Sequence, residues 1–171
     1  MTGRELLAGV SHRVLRGTLD GNCGALTYDS RLVTPGTVFV ALHGARTNGH
    51  DYIHEAAERG AVLIVADRET DGAHVVVENS RLALAKLAAN FHGLPAQSLK
   101  LIGITGTNGK TSVAFLLRHI LQHAGKRCGL IGTVEYDLGD RVLPEIPASC
   151  GQPRRADAIA VAQGPRAARR L

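Results

Sequence analysis

Residues 103–112 combine glycines, a lysine and hydroxyl side chains at a spacing suited to binding phosphate, in the order Gly-Ile-Thr-Gly-Thr-Asn-Gly-Lys-Thr-Ser. Gly106 and Gly109 allow a tight turn whose backbone N–H groups approach phosphate oxygens, since no Cβ obstructs them. Lys110 adds a full positive charge that reaches the β- and γ-phosphates, and the hydroxyl of Thr111 is a ligand for Mg²⁺. These residue types predict a nucleoside-triphosphate site in which Lys110 is the catalytic cation.

A strand and a helix must flank such a loop, and the sequence supplies both. Residues 99–104 form the short apolar run typical of a buried parallel strand. After the loop, apolar residues recur at helical spacing at Val113, Leu116, Leu117, Ile120, Leu121 and Ala124. A helix beginning near Lys110 directs the positive end of its dipole at the loop. A further strand is expected over 130–134.

Three segments in this order resemble the Mur ligases, a family that also has folylpolyglutamate synthetases as relatives. The loop Thr-Gly-Thr-Asn-Gly-Lys-Thr over 105–111 is similar to the family's ATP loop. Asp-Ser-Arg at 29–31, followed by 35–52, resembles the uridine-binding domain of the members that add the third residue and the terminal dipeptide. Residues 125–134 resemble the member that adds the third residue. The resemblance covers about residues 20–147.

The resemblance implies an α/β fold in three parts. Residues 1–95 would be a small uridine-binding α/β domain that binds the UDP-substrate, and 96–147 the start of a P-loop-type ATP-binding domain with a parallel sheet, truncated. Within the first part we expect a helix over 80–91 with Ser80 as its N-cap. Gly93-Leu94-Pro95 would end that helix at the domain boundary. Residues 148–171 diverge from the family and predict a disordered basic tail.

The resemblance also implies a reaction and its residues. The reaction is ATP-dependent formation of an amide bond, with Mg²⁺, in peptidoglycan precursor synthesis, adding a third amino acid such as meso-diaminopimelate to UDP-MurNAc-L-Ala-D-Glu. The ATP-binding residues would be Thr105, Gly106, Thr107, Asn108, Gly109, Lys110 and Thr111, with Thr111 on Mg²⁺. The residues for the UDP-substrate would be Tyr28, Ser30, Ala45, Arg46, Thr47 and Asn108.

Composition places the chain among cytoplasmic proteins that do not bind nucleic acid. The net charge is +5, but residues 151–171 hold five arginines against one aspartate, which leaves the rest close to neutral. Three Phe, three Tyr and no Trp offer little surface for stacking bases. Three scattered cysteines predict reduced thiols. No stretch approaches the ~20 apolar residues of a membrane span, and no signal peptide is evident. We expect a monomer with no membrane partner.

The C-terminal region departs from the family. No Thr-Thr-Pro segment occurs, and the chain instead reads Ile-Pro-Ala-Ser-Cys-Gly over 146–151. The family's later magnesium ligands, its carbamylated lysine and its amino-acid-binding domain are not found. These differences predict an inactive N-terminal fragment whose last two dozen residues follow a frameshift or a misplaced end. Sequencing the locus tests this, because an uninterrupted frame with no downstream remnant would contradict it.

Other interpretations of these motifs stay open. The common pattern G-x-x-x-x-G-K-[ST] is not met strictly because Ile104 stands at its first glycine, so a plain glycine-rich turn is possible, although Gly-Lys-Thr between strand and helix disfavours it. An unrelated small P-loop NTPase or kinase would use Glu135 as its acidic residue. A third interpretation is a non-catalytic module that binds a UDP-sugar. His119 and His123 lack a metal-site pattern and predict a solvated helix face.

Overall fold

The computed structural model describes residues 1–44, 47–132, 136–137, 139, 142–143 and 156–162. The chain divides into two compact units, Met1–Gly93 and Leu94–Leu171. The division lies beside the expected boundary at residue 95. Within the described ranges, no helix is long and apolar enough to cross a membrane.

The first unit is built on a five-stranded sheet in the order β1-β5-β4-β3-β2. Strands β2 to β5 pair in parallel, and β1 pairs antiparallel with β5. The strands are β1 His12–Val14, β2 Ala25–Thr27, β3 Thr37–Val40, β4 Leu63–Ala66 and β5 Val75–Val77. The helices are α1 Gly3–Leu6, α2 Ile53–Glu58 and α3 Ser80–Phe91.

Both faces of this sheet are covered, which explains the unbroken apolar runs of its central strands. Every residue of β3 and β4 is buried. Along β3, Val38 and Val40 belong to the core on one face, while Phe39 belongs to the core on the other. Ile53 of α2 packs in the core with Phe39, and Leu87 of α3 in the core with Val38. Burial of strands on both faces is the usual arrangement of parallel sheets.

Helix α3 has the predicted bounds, but the prediction of its N-cap is wrong. The cap is Asn79, whose side chain accepts a hydrogen bond from the backbone N–H of Leu82 at 3.0 Å. Its backbone is extended, with φ −148° and ψ 110°, and this lets the short side chain reach the first turn. Ser80 is buried and donates to Asp67 instead.

The second unit contains a strand, a loop, a helix and a strand in the expected order, followed by further strands. They are β6 Leu99–Thr105, α4 Lys110–His123, β7 Cys128–Ile131, β8 Tyr136–Asp137, β9 Val142–Leu143 and β10 Ala156–Ala162. Strand β7 begins at Cys128, earlier than the expected 130–134, and residues 133 and 134 lie outside the described residues. The sheet order is β6-β10-β7-β8-β9. Ala114 of α4 is buried with Cys128 and Leu130 of β7, with Leu117 and Leu121 packed against them. The face of α4 that carries Val113, Leu116 and Ile120 is exposed.

Strand β10 contradicts two expectations about this part of the chain. A disordered tail was expected from residue 148, yet residues 156–162 form a strand between β6 and β7. It is antiparallel to both neighbours, so β6 and β7 run in the same direction but the sheet is not parallel throughout. The physical reason is that the facing edges of β6 and β7 carry backbone groups that need partners. The segment Ala-Asp-Ala-Ile-Ala-Val-Ala, free of glycine and proline, supplies them.

Candidate functional site

The phosphate loop joins the end of β6 at Thr105 to the start of α4 at Lys110. Gly109 caps α4 in the left-handed region, with φ 75° and ψ 0°, and Gly106 has φ 153°. A Cβ added at Gly109 would meet no atom within 4 Å, so the backbone conformation, not lack of space, favours glycine there. Thr107 and Asn108 are exposed between the two glycines. The predicted residues of the loop therefore form one continuous accessible turn.

Lys110 folds back over this turn. Its Nζ donates a hydrogen bond to the carbonyl oxygen of Gly106 at 2.8 Å. An ammonium has three protons, so two remain to donate to phosphate oxygens. Thr111 follows in the first turn of α4, half-buried. The ammonium is thus held at the loop by a contact with its backbone.

The electrostatics of the helix start also fit an anion. Helix α4 has 14 residues and no acidic side chain in its first turn, so nothing there neutralises the positive end of its dipole. The residues present therefore suit a phosphate, and the Thr111 hydroxyl suits Mg²⁺.

The predicted uridine residues Tyr28 and Ser30 follow β2 in the first unit. Tyr28 is half-buried, and Ser30 opens a short 3-10 helix, Ser30–Leu32. Asp29 caps that helix by accepting from the backbone N–H of Arg31 at 3.0 Å. The guanidinium of Arg31 also donates to the Asp29 carboxylate, and this hydrogen bond holds the pKa of Asp29 below its usual value. The same pair raises the pKa of Arg31.

Ser30 is fixed against α2. The side chain is buried, and Oγ donates to Oε2 of Glu55 at 3.2 Å. Arg59, one turn further along the chain, pairs with Oε1 of Glu55 at 2.8 Å. Its other guanidinium nitrogen donates to the carbonyl oxygen of Arg31 at 3.3 Å. The 3-10 helix is therefore tied to α2 through both a side chain and the backbone.

The other predicted uridine residues fall after β3. Ala45 and Arg46 lie outside the described residues. Thr47 is exposed, and its carbonyl oxygen accepts from the N–H of Gly44 at 2.9 Å. Gly49 follows with its N–H donating to the carbonyl oxygen of Leu42 at 2.8 Å. A Cβ on Gly49 would lie 2.7 Å from the nitrogen of Leu42, so this close approach requires glycine.

Sequence reasoning left His50 unassigned, and the structure makes it part of a polar cluster. His50 is only 6% exposed and lies beside Asp67, which also contacts Ser80. Nothing in the sequence pattern pairs these positions, because they come from three separate segments of the chain.

The remaining sequence interpretations concern the histidines of α4, the cysteines and the groups able to bind metal. His119 and His123 are exposed on α4, as predicted, with ring centroids 4.2 Å apart. Cys23 and Cys128 are free and buried, and burial raises the pKa of both thiols. Among the described residues, no group of three or more His, Cys, Asp or Glu is placed to hold a metal ion. Glu135 lies outside the described residues.

Comparison with known proteins identifies both units. Residues 23–92 match the family described as Mur ligase family, catalytic domain, and residues 104–160 match the Mur ligase middle domain. The chain belongs to the Mur ligase family. Its α/β class is confirmed by a solved structure of a UDP-N-acetylmuramoyl-L-alanyl-D-glutamate--2,6-diaminopimelate ligase, with a TM-score of 0.60. At 21% identity over 85% of this chain and 29% of that one, this likeness concerns the fold.

Relatives with higher identity carry the same name. The UDP-N-acetylmuramoyl-L-alanyl-D-glutamate--2,6-diaminopimelate ligase of Caldanaerobacter subterraneus subsp. tengcongensis is 45% identical over 144 residues, covering 82% of this Mur ligase chain and 30% of the relative. The enzyme of that name from Geobacillus thermodenitrificans is 48% identical over 124 residues, covering 71% and 25%. This chain therefore spans less than a third of the length of these relatives.

Proposed function

We propose that this chain provides the UDP-substrate-binding domain and the phosphate loop of an ATP-dependent ligase that adds diaminopimelate to UDP-MurNAc-L-Ala-D-Glu. The observation that carries the proposal is the order of two Mur ligase matches along one chain, with relatives of 45% and 48% identity named for this reaction. Residues 1–95 would be the substrate domain and 96–147 the part of the ATP domain that holds the loop.

The proposed role of the loop is to bind and polarise the triphosphate. Lys110 and the N–H groups at the start of α4 would hold the phosphate oxygens and neutralise the charge that builds up during phosphoryl transfer. The γ-phosphoryl group would pass to the substrate carboxylate, and the incoming amine would then displace phosphate to form the amide. The hydroxyl of Thr111 would hold Mg²⁺, which when bound would help to neutralise the charge of the phosphates. The other loop residues in this proposal are Thr105, Gly106, Thr107, Asn108 and Gly109.

The proposed role of Tyr28, Ser30 and Thr47 is to hold the UDP end of the substrate. Ser30 Oγ donates its one hydrogen bond to Glu55. The oxygen can therefore only accept from a ligand, from an N–H or O–H group. Ala45 and Arg46 belong to the same proposal, as does Asn108 for the sugar side of the substrate. A cytoplasmic location and the lack of a nucleic-acid partner stay predictions from composition, and a monomeric state also stays a prediction.

Calorimetric titration of the 171-residue chain tests the proposal, with UDP-MurNAc-L-Ala-D-Glu and, separately, with ATP and Mg²⁺. Lys110→Ala is expected to weaken ATP binding by ~10- to 100-fold, the effect of losing a charge-assisted contact, and to leave the UDP-substrate unaffected. The matched control is Lys126→Ala, another lysine of the same unit, exposed after α4. Equal ATP affinity in the two variants would contradict the role of Lys110. Binding of ATP alone would favour an unrelated NTPase, and binding of the UDP-sugar alone a non-catalytic module.

A further inference from the structure

A polar cluster around the buried His50 joins three segments of the first unit. His50 lies in a 3-10 helix, Gly49–Tyr52, and its side chain is 3% exposed. Asp67 directly follows β4, and Ser80 begins α3. His50 and Ser80 are buried, and burying such polar groups is unfavourable unless they have partners. The cluster is therefore a constraint on how these segments lie.

Hydrogen bonds to Asn48 define where the His50 ring carries a hydrogen. Asn48 Oδ1 accepts from the backbone N–H of His50 at 3.3 Å, and Nδ2 donates to Oδ1 of Asp51 at 3.3 Å. These two bonds fix the orientation of the Asn48 amide. The ring Nδ1 of His50 lies 2.8 Å from the same Oδ1, an atom that only accepts, so Nδ1 must carry a hydrogen.

The other side of the ring faces Asp67. His50 Nε2 lies 2.9 Å from Asp67 Oδ1, in a close contact that is not an aligned hydrogen bond. The second oxygen of Asp67 accepts from the hydroxyl of Ser80 at 2.8 Å. His50 thus lies between Asn48 and a carboxylate that α3 itself holds in place.

This chain of contacts reaches the proposed substrate site. Asn48 directly follows Thr47 and forms a bridge with His43 across the turn. Arg81 of α3, next to Ser80, donates to the carbonyl oxygen of His43 at 2.8 Å. Both described ends of this turn are therefore fixed from α3, one through Arg81 and the other through Ser80, Asp67, His50 and Asn48.

We propose that His50 is a positioning residue that fixes Thr47 and Asn48 for binding of a UDP-linked substrate, through a hydrogen bond from Nδ1 to Asn48. The role in substrate binding rests on the proposed function of the first unit. Among charged groups, Asp51 on the Asn48 side, Asp67 on the β4 side and Arg81 on α3 surround the network.

The test compares His50→Asn, His50→Leu and a control, His92→Gln, in the full chain. Asparagine keeps an N–H close to the position of Nδ1, and leucine keeps neither polar contact. His92 is exposed after α3. Titration with UDP-MurNAc-L-Ala-D-Glu should show about tenfold weaker binding for His50→Leu, the effect of losing one buried hydrogen bond. His50→Asn should recover most of that affinity, and His92→Gln should match the unsubstituted chain.

Nitrogen NMR of the unsubstituted chain supplies a readout that needs no ligand. The His50 ring should carry a hydrogen at Nδ1, and the amide signals of Thr47 and Asn48 should shift in His50→Leu but return in His50→Asn. A ring protonated at Nε2 alone, or affinity equal in His50→Leu and the control, would overturn the proposal. If the unsubstituted chain does not bind the UDP-substrate, the proposed function fails and the positioning role in substrate binding fails with it. The NMR result then still reports on the network itself.

Discussion

Replacing Gly109 tests whether backbone conformation at the start of α4 controls the phosphate loop. With φ 75°, residue 109 lies in the left-handed region, where an L-residue costs roughly 1–2 kcal/mol. A Cβ there would meet no atom within 4 Å, so no steric term adds to this cost. Gly109→Ala should therefore lower the stability of the second unit by about 1–2 kcal/mol, or move residue 109 out of the cap conformation. Either result disturbs the N–H groups that face phosphate.

The assay is calorimetric titration with ATP and Mg²⁺, together with urea unfolding followed by circular dichroism. Gly109→Ala should weaken ATP binding by ~10-fold, equivalent to about 1.4 kcal/mol. Gly109→Asn should lose less than Gly109→Ala, because asparagine tolerates the left-handed region better. Gly103→Ala is the matched control, since Gly103 lies in β6 with no positive φ and a Cβ there also meets nothing within 4 Å. An alanine variant at 109 as stable and as tight-binding as the Gly103→Ala control would refute this reasoning.

Two further predictions concern one ion pair and one strand. Because the Arg31 hydrogen bond lowers the folded pKa of Asp29, the pair stabilises the fold above the unfolded pKa of about 3.9, and this contribution is lost as the pH falls through the folded value. Arg31→Met should lower the free energy of unfolding only slightly near pH 6, as expected for an exposed pair, and the difference from the unsubstituted chain should shrink as the pH falls below the unfolded pKa; a difference that stayed constant on acidification would contradict this. Ile159→Pro should remove amide protection from β6 and β7 while leaving the first unit folded, because proline cannot donate to the ladder that β10 forms with both strands. Hydrogen exchange measures the outcome, and Ile159→Val is the control.

The parts of the fold that follow from local sequence were predictable. The apolar run of 99–104 and the helical spacing after Lys110 predict β6 and α4 as elements. The expected burial of β6 is wrong, since none of its residues is buried, and in α4 only Ala114 is buried. The central strands of the first sheet are apolar throughout because both of their faces are covered. In contrast, all three residues of β1 are exposed, so that strand has no apolar pattern to detect. Strand β10 is rich in alanine, and its pairing depends on edges formed elsewhere in the chain.

In the candidate site too, some features could be predicted from the sequence and others could not. The conformations of Gly106 and Gly109 follow from residue type, since only a turn with unusual backbone angles needs glycines at that spacing. The cap at Asn79 was missed because asparagine and serine are both good N-caps and only the backbone angles decide between neighbours. The contact between His50 and Asp67 could not be predicted, since it depends on where β4 ends relative to a distant turn.

The position of β10 also constrains the order in which the second unit folds. Thr105, next to the phosphate loop, pairs with Ala156, from a much later part of the chain. During synthesis β6, the loop and α4 leave the ribosome well before the strand that separates β6 from β7. A sheet that depends on so distant a pairing closes slowly, because the entropy of a long loop is lost before the contacts form. The phosphate loop would thus be translated early and gain its supporting sheet late, an interval in which the nascent chain exposes two unpaired strand edges to chaperones and to other chains.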